Sequence, residues 1–307
     1  MKFFLTIIFF GSISNSLLAD EAGNSFWFCG QFASLVAVPK TVGWSIGSKL
    51  YYIDQKDTDF NETSNNIPAK ANISSKTTYF FLEPTYTPNS TWFGGQPSFT
   101  LAQGFAYDFS KASITSDNFG FLESSTQNNW GASNMYPFGE IAWNEKNHNW
   151  LVYVMGGLPV GNFNPNSIFN FGTGHYAVDL GFGYTYLNKG SGWEGSGLFG
   201  VTYNFIIPQT DYKNGLDSHL DYAISNFLSE DWELGIVGYV YYQLTADSGN
   251  LGPFKSKAAA IGPEGTYFWK SGEYEMNFTL RGYFDFWTEN RLGGFSMYAV
   301  YTVQFPN

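Results

Sequence analysis

The stretch DSHLD, residues 217–221, carries the densest set of side chains that could do chemistry. Asp217, His219 and Asp221 occupy every second position, and alternate residues of a β-strand share one face. Carboxylate and imidazole groups in one row could bind a cation. The same row could also line a hydrated wall, and we favour this second interpretation. We therefore predict no metal site.

Nucleophilic catalysis is the second chemistry to consider, because Ser218 directly precedes His219. Adjacent residues of a strand point to opposite faces, so this serine and histidine cannot form a nucleophile–base pair on a regular strand. The glycine-rich pieces GFG and GSG lack the lysine and the serine or threonine that complete a phosphate-binding loop. We predict no enzyme activity and no cofactor.

Strands must position these residues, because the polarity of the chain alternates over long stretches. In GHYAVDLGFGYTYLN, residues 174–188, the even positions from 176 are bulky and the odd positions are mostly small or polar. The stretches 97–109 and 273–287 alternate in the same way. Such a period of two indicates strands with one apolar face.

Composition excludes several classes of protein. Charged residues make up 13% of the chain, aromatic residues 20%, and the formal net charge is −11. Disordered chains are rich in charge and poor in aromatic residues, so this chain is not one of them. Only two arginines are present, and no basic stripe could bind a nucleic acid. The single cysteine, Cys29, excludes a disulfide within the chain.

The chain begins MKFFLTIIFFGSISNSLLAD, with one lysine, a short apolar run and small residues before Ala19. This pattern predicts a secretory signal peptide over residues 1–19. No later stretch has the roughly 20 apolar residues of a membrane-spanning helix, so strands would have to hold the protein in a membrane. We divide the remainder into an N-terminal segment, 20–43, and a β-barrel, 44–307.

The alternation predicts about twelve strands, each near the roughly 9–11 residues that cross a bilayer obliquely. They cover residues 44–54, 75–87, 97–109, 136–145, 148–157, 174–187, 192–206, 216–228, 231–244, 256–269, 273–287 and 294–305. The connections alternate between long loops, such as 55–74 and 110–135, and short turns, such as 146–147. Barrels of the outer membrane have short periplasmic turns and longer outer loops. The predicted fold is therefore an all-β, up-and-down antiparallel transmembrane barrel, with a large soluble all-β domain as the alternative.

The two faces of the predicted strands differ in charge. One face is nearly free of charge and suits acyl chains, whereas the other carries ionisable groups that a dry core would not tolerate unpaired. The side chains that we predict to face the lumen are Asp179, Glu194, Asp217, His219, Asp221, Glu233, Tyr239, Tyr241, Gln243, Glu275, Arg281 and Asp285. We expect Arg281 to form salt bridges with Glu275 and Asp285. The tyrosines offer an apolar ring with a polar tip, which suits an aromatic alcohol as well as ordinary wall packing.

The N-terminal segment is apolar and does not alternate cleanly. Its bulky residues would be poorly placed in the periplasm, and a barrel of about twelve strands has a bore that a short segment could fill. We predict a partial plug formed by Phe26, Trp27, Phe28, Phe32, Leu35 and Val36. The alternative is that this segment lies at the periplasmic rim or helps to form the first strand.

Several long stretches resemble one family of outer-membrane proteins. They are GQFASLVAVPKTVGW, GLPVGNFNPNSIFNFGTGHYAVDLGFGYTYLN, GWEGSGLFGVTYNF, TDYKNGLDSHLDYAISNFL, VGYVYYQLTADSG and FKSKAAAIGPEGTYF. The chain resembles the SphA-like proteins named for the meta-pathway of phenol degradation. The resemblance implies an outer-membrane β-barrel beside pathways that degrade phenols and other hydrophobic compounds. It supplies no catalytic motif.

Taken together, these features predict a channel in a Gram-negative outer membrane for passive passage of small hydrophobic or aromatic compounds. The expected partners are membrane lipid and a phenol-like ligand, without nucleic acid, and the oligomeric state stays open. One alternative is a structural or surface-interaction barrel that transports nothing and uses its long loops for contact. A weaker alternative is an outer-membrane lipid hydrolase.

Overall fold

Twelve antiparallel strands close into one barrel in the computed structural model, which describes residues 25–64, 67–116, 120–167, 169–249, 253 and 255–306. Each strand pairs with its neighbours in sequence, and β1 also pairs with β12. The strands are β1 Gly43–Ser64, β2 Ile67–Thr87, β3 Gln96–Ser116, β4 Gly120–Glu145, β5 His148–Gly157, β6 Ala177–Leu187, β7 Trp193–Asn204, β8 Asp217–Phe227, β9 Trp232–Gln243, β10 Lys257–Ser271, β11 Tyr274–Glu289 and β12 Gly293–Gln304. The predicted up-and-down barrel is confirmed.

The alternating pattern sorts side chains between the two faces of the wall. On β6 the side chains of Val178 and Leu180 are 39% and 59% exposed, whereas Asp179 between them is fully buried. Similar rows of exposed apolar side chains occur on β2, β3, β5, β9 and β11. A protein surrounded by water rarely exposes so much contiguous apolar surface, but a bilayer requires it.

The two ends of the barrel differ in their connections. The turns at 88–95, 146–147, 188–192, 228–231 and 272–273 are short and lie at the end where residue 43 and residue 304 also lie. Short turns mark the periplasmic end of an outer-membrane barrel. Exposed aromatic side chains surround both ends of the apolar band, because aromatic residues are favoured at lipid–water interfaces. They are Trp44, Tyr86, Trp150, Trp193, Trp232, Tyr267 and Tyr274 at the periplasmic end, and Trp130, Tyr176, Tyr203, Tyr242 and Trp287 at the outer end.

The prediction of long loops at 55–74 and 110–135 is wrong. β1 and β2 continue as a paired hairpin to Ser64 and Ile67, and β3 and β4 continue to Ser116 and Gly120. Hydrogen bonds between the paired backbones extend these strands, and such bonds require no apolar row in the sequence.

Residues 25–42 form no regular strand or helix of more than a turn. They contact inward-facing side chains of most strands, from Glu140 near the periplasmic end to Gly157 near the outer end. Among the described residues, no helix is long and apolar enough to cross a bilayer. The predicted signal peptide lies outside the described residues.

Candidate functional site

The barrel interior collects the side chains that the sequence analysis singled out. Those of Asp179, Glu194, Asp217, His219, Asp221, Glu233, Tyr239, Tyr241, Gln243 and Arg281 are buried inside the wall. Asp285 is half-buried, and Glu275 is exposed at the periplasmic turn between β10 and β11. Apart from Glu275, these groups therefore lie in the interior, and their partners show what they do there.

Two lumen carboxylates bind backbone N–H groups of the N-terminal segment. The N–H groups of Gly30 and Phe32 donate to Oδ1 and Oδ2 of Asp221, at 3.0 and 3.2 Å. The N–H of Leu35 donates to Oε1 of Glu194 at 2.9 Å. An irregular segment leaves its backbone donors unpaired, and a buried donor without an acceptor is costly. Asp221 and Glu194 supply those acceptors.

A second part of the wall, on β11 and β12, binds carbonyl oxygens of the same segment. The hydroxyl groups of Tyr298 and Tyr283 donate to the carbonyls of Cys29 and Gly30, at 2.9 and 3.0 Å. Nη2 of Arg281 donates to the carbonyl of Gln31 at 3.2 Å. Acceptors on β7 and β8 and donors on β11 and β12 thus hold the segment's backbone from two parts of the wall.

Aromatic stacking adds to this hold at Trp27. The indole ring is buried and lies parallel to the imidazole of His219, with ring centroids 3.4 Å apart and an interplanar angle of 16°. His219 Nε2 in turn lies 3.1 Å from Oδ2 of Asp179, which also accepts a hydrogen bond from Tyr153 at Oδ1 (2.5 Å). The inward histidine therefore supports the segment and is itself fixed by a carboxylate.

The other apolar residues of the segment pack less evenly. Phe26 is fully buried, and a side-chain atom at Gly157 would lie 2.8 Å from its ring. Phe28 makes edge-to-face contacts with Tyr79 and Phe81. The remaining three predicted plug residues, Phe32, Leu35 and Val36, are only half-buried.

Cys29 lies at the centre of this packing and is 4% exposed. Burial raises the pKa of its thiol from the ordinary value of 9.0 to about 12. The thiolate is the reactive form of cysteine, so a docked segment makes this thiol unreactive near neutral pH.

The expected salt bridges of Arg281 are wrong in their partners. Its Nη1 lies 3.4 Å from Oε2 of Glu264, which is its direct neighbour across the β10–β11 ladder. Glu275 pairs with Lys270 instead, and Asp285 accepts from the hydroxyl of Tyr239 and, at 2.9 Å, from the N–H of Gly294. Residues directly opposite each other on paired strands are about 5 Å apart. Asp285 and Glu275 lie four and six residues from Arg281 along β11, which places them more than about 13 Å from it.

The row of Asp217, His219 and Asp221 does not converge on one point. Asp217 accepts from Nδ2 of Asn204 at 2.7 Å, and the other two bind the groups described above. Among the described residues, no three histidine, cysteine, aspartate or glutamate side chains are arranged to hold a metal ion. Ser218 donates to the carbonyl of Tyr242 on the outward side, away from His219.

A cavity of about 180 Å³ separates the segment from the wall formed by β1–β4. Phe32, Tyr136 and Phe138 form its apolar side, and the ion pair between Lys49 and Glu83, 2.8 Å long, forms its polar side. A larger recess of about 700 Å³ opens at the periplasmic end. The two spaces share Lys40, Ser45 and Thr302, and Lys40 is bound to Glu140 at their boundary.

The sequence analysis did not predict that the lumen charges bind the backbone of the N-terminal segment, and it did not predict this cavity. Alternation places Asp221 and Glu194 on the inner face, but the backbone groups that they bind lie in an irregular segment that no local pattern places. The cavity depends on how the segment lies against β1–β4, which no local pattern specifies.

A closed antiparallel barrel with an apolar outer band and a polar interior defines the class of outer-membrane β-barrel proteins. The solved COG4313 outer membrane channel from Pseudomonas putida F1 matches with a TM-score of 0.62 and 15% identity, over 86% of this chain and 97% of that one. The transport unit of the autotransporter AIDA-I from Escherichia coli matches with a TM-score of 0.46 and 10% identity, over 97% and 98%. A FadL homologue of Pseudomonas aeruginosa matches with a TM-score of 0.36 and 9% identity, over 85% and 88%. The first of these matches shows that the fold is that of an outer-membrane channel.

Residues 56–300 match the family model described as "Putative MetA-pathway of phenol degradation". The chain belongs to this family, as its sequence resemblance indicates. No curated protein matches the chain.

Proposed function

We propose that the protein is an outer-membrane channel for passive passage of small hydrophobic or aromatic molecules of the phenol class. We further propose that the N-terminal segment is a plug in its lumen, and that the mature chain follows cleavage after residue 19. The barrel fold and the family support the general class. The cavity beside the segment supports the substrate class.

The observation that carries the proposal is the match between this cavity and an aromatic alcohol. A cavity of about 150 Å³ can hold benzene, and this one measures about 180 Å³. Aromatic rings line one side, and the Lys49–Glu83 pair offers a donor and an acceptor on the other. A phenol would place its ring against the first and its hydroxyl group against the second.

Because the wall binds the segment mainly through backbone hydrogen bonds, the plug can undock from the lumen. Backbone groups exposed to water lose little when they exchange protein partners for water, so the net cost of undocking is modest for each bond. Apolar packing of Trp27 and Phe26 opposes undocking. A substrate that competes for the space around Phe32 would shift the equilibrium toward the undocked segment.

Uptake by cells tests the proposal. Cells with the protein should take up radiolabelled phenol at a higher initial rate than cells without it. Phe138→Trp should lower that rate, because the larger ring fills the cavity. Phe182→Trp, on the lipid-facing side, is the matched control and should leave uptake unchanged. Equal uptake with and without the protein would reject the channel.

A surface-interaction barrel is the second candidate, favoured by the β1–β2 and β3–β4 hairpins that extend beyond the membrane. Such a barrel would bind a partner through these hairpins and would not change phenol uptake. The uptake experiment separates the two.

A further inference from the structure

Three lysines cluster on the outward face of β1, β2 and β3, just beyond the apolar band and before the outer ends of these strands. Lys56 pairs with Ser74, and Ser74 pairs with Lys111, so the three residues form one row across the sheet. Lys76 lies two residues from Ser74 on the same face of β2. Adjacent strands are about 4.8 Å apart, and diagonal neighbours about 7–8 Å. The three lysine side chains therefore begin within about 10 Å of one another, and all three are exposed.

This cluster begins where the apolar band ends. On β3 the outward residues Phe99, Leu101 and Phe105 are 41%, 42% and 64% exposed, and Phe109 and Lys111 continue the same row toward the outer end. Nζ of Lys111 lies 5.1 Å from the centroid of the Phe109 ring. Lipid head groups lie at this depth, just beyond the aromatic belt.

The positive charge of the lysine cluster determines which ligand it can bind. The chain carries a net charge of −11, and a group of three lysines is an exception on such a surface. Asp54, which lies 2.9 Å from Nζ of Lys76, offsets one of the three charges. Clustered lysines beside a bilayer bind anionic lipid head groups.

We propose that Lys56, Lys76 and Lys111 form a binding site for the phosphorylated head group of an outer-leaflet lipid. The lysines bind phosphate, and the lipid's acyl chains lie along the exposed apolar rows of β2 and β3. The site requires only that the barrel span the outer membrane, so it does not depend on which molecules pass through the lumen.

Binding of fluorescent lipid A to the purified mature protein in detergent tests the site. Removing one lysine should weaken binding about five-fold, and the triple variant K56Q/K76Q/K111Q should weaken it by more than about ten-fold. The triple variant K146Q/K189Q/K270Q loses the same charge at the periplasmic turns and should bind as tightly as the unaltered protein. Dephosphorylated lipid A should bind the unaltered protein as weakly as lipid A binds the first triple variant.

Asp54→Asn provides a second variant that does not remove a lysine. It frees Lys76 from its ion pair, so lipid A should bind more tightly. Equal binding of lipid A by both triple variants would overturn the proposal, as would undiminished binding of the dephosphorylated lipid. If inorganic phosphate displaced lipid A at a concentration equal to that of the lipid, the site would belong to a free anion. This result would also overturn the proposal.

Discussion

Asp221 is the residue on which docking of the N-terminal segment depends most, because one carboxylate accepts two backbone N–H groups. Asp221→Ala leaves both donors buried without an acceptor, and docking should weaken by roughly 2 kcal/mol. Cys29, the only cysteine of the chain, reports on docking by its rate of alkylation. We expect that rate to rise about 30-fold, measured by mass spectrometry under native conditions.

Asp231→Ala is the control for this measurement, because Asp231 is exposed in the periplasmic turn between β8 and β9. It should leave the alkylation rate unchanged. If Asp221→Ala also leaves the rate unchanged, the carboxylate does not hold the segment.

Gly30 is the second residue that docking requires. It has a φ of +74°, and a Cβ there would lie 2.6 Å from the ring of Tyr283. Gly30→Ala should therefore expose Cys29 to alkylation through both backbone strain and steric clash. Gly94→Ala is the control, because Gly94 has a similar φ of +78° but no atom within 4 Å of an added Cβ. It strains the backbone in the same way without a contact to Tyr283, and it should leave the alkylation rate of Cys29 unchanged. An alkylation rate that rises equally in both variants would contradict a specific contact with Tyr283.

Individual side chains could be assigned to the inner face from the sequence, but their partners could not. Alternation places Asp221 and His219 on one face because strand geometry is local. The partners of both, Gly30 and Trp27, lie almost 200 residues away in an irregular segment. Arg281 shows the same limit, since its partner Glu264 follows from the register of β10 and β11.

The β1–β2 hairpin is the element that best separates the channel from the surface-interaction barrel. Beyond Lys56, β1 pairs only with β2, because β12 begins at Gly293. Replacing residues 60–71 with Asn-Gly, which favours a tight hairpin turn, should leave the barrel folded and phenol uptake unchanged. Uptake assays together with the heat-dependent gel shift of a folded barrel measure both.

Loss of uptake in this shortened variant, with folding intact, would mean that the hairpin takes part in passage. Such a result would contradict a transport route confined to the lumen.

Strand boundaries within the membrane were predictable for a physical reason. Lipid on one face and a polar lumen on the other impose alternation, which marks β5–β12 to within a few residues. Beyond the membrane, β1–β4 lack this constraint. Their extension to Ser64 and Ser116 rests on backbone pairing, which leaves little trace in residue type.

At the scale of the whole molecule, a wall of polar and aromatic side chains surrounds an apolar segment. Acids and donors on the wall bind backbone groups of the segment, and Trp27 stacks on the inward imidazole of His219. The cavity at Phe32 lies between the segment and the wall, and we propose that it accepts a small aromatic molecule. The plug that we propose would have to move for a molecule to pass through this lumen.

Single-channel conductance in planar bilayers tests the plug most directly, by comparing the mature protein with a variant that lacks residues 23–40. The shortened variant should conduct ions several-fold better, because the bore opens to water once the segment and its rings are gone. Equal conductance of the two proteins, both shown to be folded barrels, would contradict a plug in the lumen.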